Sequence, residues 1–169
     1  MNIGLYTLTS PLHDKQAVNA ASQEFITEIE GVLGTQFDFC GPDFSSYGKH
    51  DLDVIYVRTG GTENLFSAVF PKLQGNILLL TSGKSNSLAA SLEILSYLNQ
   101  HDRKGEIIHG SVEYIADRLR ILSKVNAAKQ ALNGMNLGVI GQPSDWLISS
   151  NADEAAVKGK LGINLVNIP

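Results

Sequence analysis

Short apolar runs and segments of helical periodicity alternate along most of this chain. The runs are four to six residues long and rich in aliphatic side chains, which is typical of strands. The fourth run, NILLL, is apolar after its first residue, as expected at the centre of a parallel sheet. The pattern predicts five strands, at residues 2–7, 36–40, 52–57, 76–80 and 106–109.

Between these runs, apolar residues recur every three or four positions, which predicts amphipathic helices. Gly34 and Gly134 stand where the first and last of the longer helices would end. A shorter helix is predicted over residues 64–73. The predicted apolar faces of the longer helices are Val18, Ala21, Phe25, Ile29 and Val32, then Leu88, Leu92, Leu95 and Leu98, and finally Val112, Ile115, Leu119, Leu122 and Val125.

Strands that alternate with helices favour a parallel sheet covered on both faces, because parallel neighbours need crossover connections. We therefore predict an α/β fold, a flavodoxin-like, doubly wound, five-stranded three-layer sandwich with strand order 2-1-3-4-5. In that order, ligands bind outside the carboxyl ends of strands one and three, where the winding reverses. Polar turns follow these strands: TSPLHD after strand one, RTGGTE after strand three and TSGKSN after the neighbouring strand four. A polar, turn-rich loop is predicted at residues 41–50.

Residues 137–169 contain one further strand, a helix and a strand. This unit has 33 residues, and isolated pieces of fewer than about 40 residues rarely bury enough surface to fold alone. We therefore expect a flavodoxin-like N-terminal domain at residues 1–134 and the truncated start of a second Rossmann-like domain at residues 135–169.

Composition and charge exclude several classes of protein. The net charge is −4, and no block of lysine and arginine provides the electrostatic footprint of a nucleic-acid-binding protein. The longest aliphatic run, Ile77 to Leu80, is far too short to span a membrane. Cys40 is the only cysteine, so no internal disulfide can form. Since the first residues enter a strand without a secretory leader, we expect a soluble, cytoplasmic protein.

The loop RTGGTE is the most suggestive candidate for ligand contact. Gly60 and Gly61 allow a backbone to approach a ligand closely, and the flanking Arg58, Thr59 and Thr62 can orient that ligand. The same loop also fits a simple turn into a helix, with Thr62 as the N-cap and Glu63 in the first turn. The sequence leaves both interpretations open.

The loop TSGKSN resembles part of a phosphate-binding P-loop, because Gly83, Lys84 and Ser85 follow a strand and precede a helix. The full motif requires a glycine five residues before Gly83, where this chain has Leu78. A nucleotide triphosphatase is therefore disfavoured. The start of the helix could still bind an anion or sugar hydroxyls, although a helix cap made by Ser85 or Ser87 explains the serines more simply.

Other sites are disfavoured at particular positions. A flavin phosphate loop would need glycine where the chain has Ser10 and Pro11, and proline has no N–H to donate. A phosphoacceptor domain would need acids at the ends of strands one and three, which this chain lacks there. The four histidines show no metal-ligand spacing, and we interpret Cys40 as a small buried residue. No pair of acids stands out as a general acid and base.

Trp146, the only tryptophan, follows a strand and a turn. An amphipathic ring at such a position commonly lines a pocket or an interface. The alternative is that Trp146 anchors the core of a further domain.

Several segments together resemble the L-fucose isomerase-like proteins of the L-fucose and L-arabinose isomerase superfamily. They are RTGGTENLF, LLLTSGKSNSLAASLEILSYL, EIIHG with the long helix after it, and LGVIGQPSDWLISS. The resemblance spans nearly the whole chain. It implies a flavodoxin-like domain, a second Rossmann-like domain that starts where this tail starts, and a β-rich third domain.

The resemblance further implies interconversion of an aldose and a ketose through an enediol, assisted by manganese or another divalent metal. In the family the metal ligands come from the second and third domains, so this region would carry neither catalytic nor metal-binding residues. It would instead recognise a small sugar and make contacts within a homo-oligomer. The sugar-facing residues that the resemblance suggests are Thr9, Ser10, His13, Arg58, Thr59, Gly60, Gly61, Thr62, Glu63, Ser82, Lys84, Ser85, Asn86 and Trp146.

Two functions follow from the sequence. The first is the N-terminal portion of a sugar isomerase, inactive by itself. The alternative is a non-catalytic module that uses the same crevice to bind a sugar or a phosphorylated metabolite.

Overall fold

The computed structural model describes residues 1–142, 144, 146–149 and 152–168. The chain divides into two compact units, residues 1–123 and 124–169, and the division falls within a long helix. Three residues of the GQPSDWLISS segment, Pro143, Asp145 and Ser150, lie outside the described residues. No described helix combines the length and apolarity needed to cross a membrane.

The first unit contains a five-stranded parallel sheet in the order β2-β1-β3-β4-β5. This confirms the predicted flavodoxin-like, doubly wound fold and its strand order, with strand ends that differ by at most two residues from prediction. The strands are β1 (Ile3–Leu8), β2 (Asp38–Gly41), β3 (Leu52–Val57), β4 (Ile77–Leu80) and β5 (Gly105–Ile108). The helices are α1 (Lys15–Leu33), α2 (Glu63–Val69, continued by a 3-10 turn at Phe70–Lys72), α3 (Ser87–Gln100) and α4 (Val112–Leu132).

Each face of the sheet has its own apolar core, because successive side chains of a strand point to opposite faces. Helices α1 and α4 cover one face, and α2 and α3 cover the other. The first core includes Ile3, Leu5, Val54 and Leu78 with Ile29 and Leu119, and the second includes Tyr6, Ile55 and Leu79 with Phe66 and Ile94.

The buried faces of the longer helices differ from the predicted ones. In α3 the predicted Leu92 is 55% exposed, while Ile94 is 1% exposed. In α1 Val32 is 39% exposed, and in α4 Val125 is 59% exposed. The buried residues are Ser22, Ile26, Ile29 and Leu33 in α1, Ser87, Ala90, Ser91, Ile94 and Leu98 in α3, and Ile115, Ala116, Leu119 and Ser123 in α4. The small side chains of serine and alanine let the helices pack closely on the sheet. A prediction based on large apolar residues overlooks these buried positions.

The predicted polar loop connects β2 to β3 at residues 42–51, and it contains turns but no helix. Phe44 of this loop stacks on Tyr6 of β1, with ring centroids 4.9 Å apart. Tyr47 packs on the same ring at 5.2 Å. The loop therefore supplies the apolar cover over this part of the sheet.

The second unit contains a strand, a helix and a strand, as predicted: β6 (Asn136–Ile140), α5 (Glu154–Leu161) and β7 (Asn164–Ile168). The two strands pair in parallel, from Asn136 opposite Asn164 to Ile140 opposite Ile168. The Asp153 side chain caps α5 by accepting a hydrogen bond from the Ala156 N–H at 3.0 Å.

Candidate ligand-binding site

Three loops meet at the carboxyl edge of the sheet, where the sequence predicts the site. They follow β1, β3 and β4 at residues 9–14, 58–62 and 81–86. The Ser10 N–H donates to Thr59 Oγ1 at 2.9 Å, and the Gly60 N–H donates to the Ser85 carbonyl at 2.8 Å. These bonds join the three loops into one continuous surface.

The paired glycines of RTGGTE lie where loops pack against each other. A Cβ on Gly60 would stand 3.0 Å from the Asn86 Cβ. Gly61 has a φ of +71°, and a Cβ there would stand 3.1 Å from Ser10 Oγ. Glycine at these positions therefore permits contact between loops, in addition to any approach by a ligand.

The hydroxyl residues of these loops are mostly buried and already bonded. Ser10, Thr59 and Thr62 are 1%, 0% and 0% exposed. Thr62 occupies the N-cap position of α2, as the turn interpretation predicts, but its hydroxyl donates to the Thr59 carbonyl at 3.1 Å and makes no cap bond. Glu63 opens α2 and is half-buried. These hydroxyls hold the loops in shape.

The cap predicted for α3 is wrong. Asn86, rather than Ser85 or Ser87, occupies the N-cap position, and it makes no side-chain cap bond. Ser87 is the first residue of the helix, and its hydroxyl donates to the Lys84 carbonyl at 2.6 Å. Ser85 and Asn86 both have positive φ, 53° and 58°, which is uncommon for residues other than glycine. Lys84, Ser85 and Asn86 are exposed to solvent and Ser82 is half-buried.

The remaining predicted site residues lie in different places. His13 is half-buried in the loop after β1. His109, which was not among the predicted site residues, follows β5 and places its Nδ1 at 3.0 Å from the Thr81 carbonyl, so its ring packs on the loop after β4. Trp146 belongs to the second unit, where it is 80% exposed.

Arg58 is the site residue with the most distinctive surroundings. Its guanidinium donates from Nε to Ser22 Oγ at 2.8 Å and from Nη2 to Asn19 Oδ1 at 2.6 Å, while Nη1 lies 3.3 Å from Thr9 Oγ1. All three acceptors are neutral, and none of the ion pairs among the described residues involves Arg58. Burial lowers the pKa of Arg58, because a half-buried cation is less well solvated. Arg58 remains a cation at neutral pH, and no anionic group of the described residues pairs with it.

Arg58 borders a cavity of about 520 Å³ between α1 and the carboxyl ends of β1 and β3. This volume is in the range typical of small-ligand sites. Polar groups and two aromatic rings line it together: Thr7, Asn19, Ala20, Ser22, Gln23, Ile26, Phe39, Tyr56 and Arg58. Of the predicted site residues, only Arg58 lines this cavity.

The cavity residues on α1 were missed because the helical face was predicted one position away. Ser22 belongs to the buried stripe with Ile26, whereas the apolar count favoured Ala21 and Phe25. The sequence does carry a signal for this cavity. Three polar residues, Asn19, Ser22 and Gln23, lie close together near the start of the helix that follows strand one.

One group of described residues could hold a metal ion: Asp38, Cys40 and His50, whose ligand atoms all lie within 4.8 Å of one another. The spacing of the histidines in the sequence did not predict this group. Its thiolate and imidazole are not the oxygen ligands that manganese prefers, so the group does not fit the metal implied by the isomerase resemblance.

Comparison with protein-family models gives no match, and comparison with curated protein sequences gives no significant match.

Proposed function

We propose that this chain recognises a small sugar in the cavity beside Arg58, as the substrate-recognition part of a sugar isomerase that interconverts aldoses and ketoses. The observation that carries the proposal is the Arg58 guanidinium, held by three neutral oxygens at the edge of a cavity of about 520 Å³. The isomerase assignment rests on the resemblance of the loop motifs.

The lining chemistry suits a polyhydroxylated ligand. Asn19 and Gln23 provide amide donors and acceptors, and Thr7 and Ser22 provide hydroxyls. Phe39 is 67% exposed and gives the cavity an apolar wall on which a sugar ring can pack. Such a mixture of a few polar groups with aromatic surface is typical of small-molecule sites.

The same lining argues against catalysis within this cavity. It contains no carboxylate, imidazole or lysine side chain that could move a proton between adjacent carbons of a sugar. We therefore expect recognition here, with proton transfer supplied from elsewhere in an active isomerase.

A second candidate function is a non-catalytic module that binds a phosphorylated metabolite. The absence of a carboxylate partner for Arg58 among the described residues favours it, because guanidinium groups pair strongly with phosphate oxygens. The two candidates use the same cavity and differ in the charge of the ligand.

Calorimetric titration of the purified chain with L-fucose, L-arabinose and ribose 5-phosphate tests both candidates. We expect a neutral sugar to bind and Arg58→Met to weaken its binding about tenfold or more, because a hydrogen bond to a charged group contributes about 1.5–3 kcal/mol. Arg118→Met is the matched control, since Arg118 pairs with Glu106 of β5 and neither residue lines the cavity. It should leave the affinity unchanged.

Each outcome of the titration has a definite meaning. Binding of ribose 5-phosphate alone would replace the sugar proposal with the second candidate. No binding of any ligand, or equal loss in both arginine variants, would contradict a ligand site at Arg58. Isomerisation of L-fucose or L-arabinose by this chain with manganese would contradict the purely recognising role.

A further inference from the structure

A second cluster of polar side chains lies on the face of the sheet opposite the Arg58 cavity. Asp38 and Cys40 are two residues apart on the edge strand β2, so they point to the same side. Phe39, between them, lines the Arg58 cavity on the other side. His50, at the end of the loop between β2 and β3, completes the cluster. The cluster is therefore independent of the proposed function.

The three ligand atoms have the spacing of a metal site. His50 Nε2 lies 3.1 Å from Asp38 Oδ2 and 3.9 Å from Cys40 Sγ. With ordinary zinc bond lengths, tetrahedral ligands stand about 3.3 Å apart for nitrogen and oxygen and about 3.6 Å for nitrogen and sulfur. Both distances from His50 Nε2 differ from these values by a few tenths of an ångström, and the Asp38 carboxylate oxygen lies within 4.8 Å of Cys40 Sγ.

Asp53 orients the His50 ring for metal binding. Its Oδ1 lies 2.7 Å from His50 Nδ1, and its Oδ2 accepts from the Gly48 N–H at 2.8 Å. A proton held on Nδ1 by Asp53 leaves the lone pair of Nε2 facing the Asp38 carboxylate. In that tautomer, a cation between Nε2 and the Asp38 carboxylate would join the two groups. A carboxylate that orients a ligating histidine in this way is a recurrent feature of zinc sites.

The local backbone also suits metal binding. Cys40 falls at an irregularity of the β1–β2 pairing, where Leu5 is opposite Phe39 and Tyr6 is opposite Gly41. Bulges of this kind redirect a side chain. The Ser46 hydroxyl donates to Cys40 Sγ at 3.5 Å, the distance of a weak hydrogen bond to sulfur. The Asp38 side chain is 60% exposed, so an ion can reach the cluster from solvent.

We propose that Asp38, Cys40 and His50 bind one zinc-class divalent ion, with water in the fourth coordination position. The ion fastens the edge strand β2 to the loop that precedes β3. The metal-free alternative is the hydrogen-bonded cluster alone, with His50 between Asp38 and Asp53, and the two states differ in whether Cys40 bonds to a metal.

Cobalt titration of the tag-free chain separates these states. Because Cys40 is the only cysteine, a near-ultraviolet thiolate-to-cobalt charge-transfer band reports on this site alone. We expect the band to saturate at one ion per chain and to disappear when zinc is added, since zinc generally binds such ligands more tightly than cobalt.

Variants locate the site further. Cys40→Ser should abolish the band, and His50→Gln should weaken zinc binding about tenfold or more in a competition titration with a chromogenic chelator. Asp53→Asn should keep the band and reduce affinity about 10- to 100-fold, as expected for loss of an orienting carboxylate. His101→Gln, an exposed histidine bonded to the Tyr97 carbonyl, is the control and should bind as the parent chain does.

Absence of the charge-transfer band in the parent chain would overturn the proposal and leave the metal-free ion pair. Equal zinc affinity in the parent chain and Cys40→Ser would also overturn it. Circular dichroism of each variant identifies a loss of binding that comes from misfolding, and Asp53→Asn, which keeps all three ligands, tests the site without removing one.

Discussion

Gly4, the second residue of β1, lies where His50 occupies the space that a side chain would need. A Cβ on Gly4 would stand 2.4 Å from His50 Nδ1, closer than any real contact. Glycine inside a strand costs about 0.5–1 kcal/mol relative to alanine. This destabilisation accompanies a favourable contact, because the absence of a side chain at Gly4 allows the His50 imidazole to pack over the sheet beside Asp53.

Tyr47 should make the stability of the folded state fall at alkaline pH. Burial raises the pKa of its phenol well above the usual value, and the nearby Asp53 charge adds to this. A raised pKa means that the folded state prefers the neutral phenol. The stabilisation is therefore complete below pH about 10 and is lost progressively as the pH rises above that value.

We expect the urea midpoint to fall between pH about 9 and about 11, and Tyr47→Phe to reduce that fall because it removes one such phenol. Tyr114→Phe is the control, since Tyr114 is 54% exposed. Some fall should persist in Tyr47→Phe, because burial also raises the pKa of Tyr6. An identical fall in the parent chain and in Tyr47→Phe would contradict the prediction.

At the scale of the elements, α3 offers a direct test of which helical face is buried. Ile94 is 1% exposed and Leu92 is 55% exposed, although the apolar pattern placed Leu92 in the core. We expect Ile94→Ala to lower the free energy of unfolding by about 2–5 kcal/mol. Leu92→Ala should change it by no more than about 0.5 kcal/mol. Urea denaturation measures the free energy of unfolding of both variants. Comparable decreases in the two variants would contradict the burial seen here and support the helical face predicted from sequence.

The strands were predictable from sequence for a physical reason. β4 is buried at all four residues and β3 at every residue except Asp53, so these runs are almost entirely apolar and are easy to recognise. The helical faces were not predictable in the same way. Ser22 and Ser91 contribute to the buried surface through their small size, which no scale of hydrophobicity reports.

The two candidate sites differ in how well their positions could be predicted from the sequence. The loops around Arg58 were located because parallel strands bring their carboxyl ends together. The cluster of Asp38, Cys40 and His50 depends on how the loop at residues 42–51 returns to the sheet, which the sequence does not specify. The spacing of Asp38 and Cys40, two apart on a strand, is the only part of that cluster visible beforehand.

At the scale of the whole molecule, the two units should differ in local stability. In β4 all four residues are buried, whereas four of the five residues in β6 are exposed. Within the part of the chain that the structure describes, β6 pairs with β7 alone, and a two-stranded sheet is marginal by itself. The amides of β6 and β7 should therefore open at a lower free energy than those of β3 and β4.

Hydrogen exchange followed by mass spectrometry measures this difference. We expect peptides that cover β6 and β7 to exchange faster than peptides that cover β3 and β4 under native conditions. Protection of β6 equal to that of β4 would show that both units open together and would contradict the prediction.

The contacts that join the loops at the carboxyl edge also limit how ligand preference can change over evolution. A Cβ on Gly60, Gly61 or Gly83 would stand 3.0 Å from Asn86, 3.1 Å from Ser10 or 2.8 Å from His109, so a larger side chain would displace its neighbour. A substitution in one loop therefore changes the space available to the next, and effects at such positions do not add. New specificity at this edge would have to arise through paired changes in two loops, and single substitutions would be tolerated mainly in the cavity wall formed by α1.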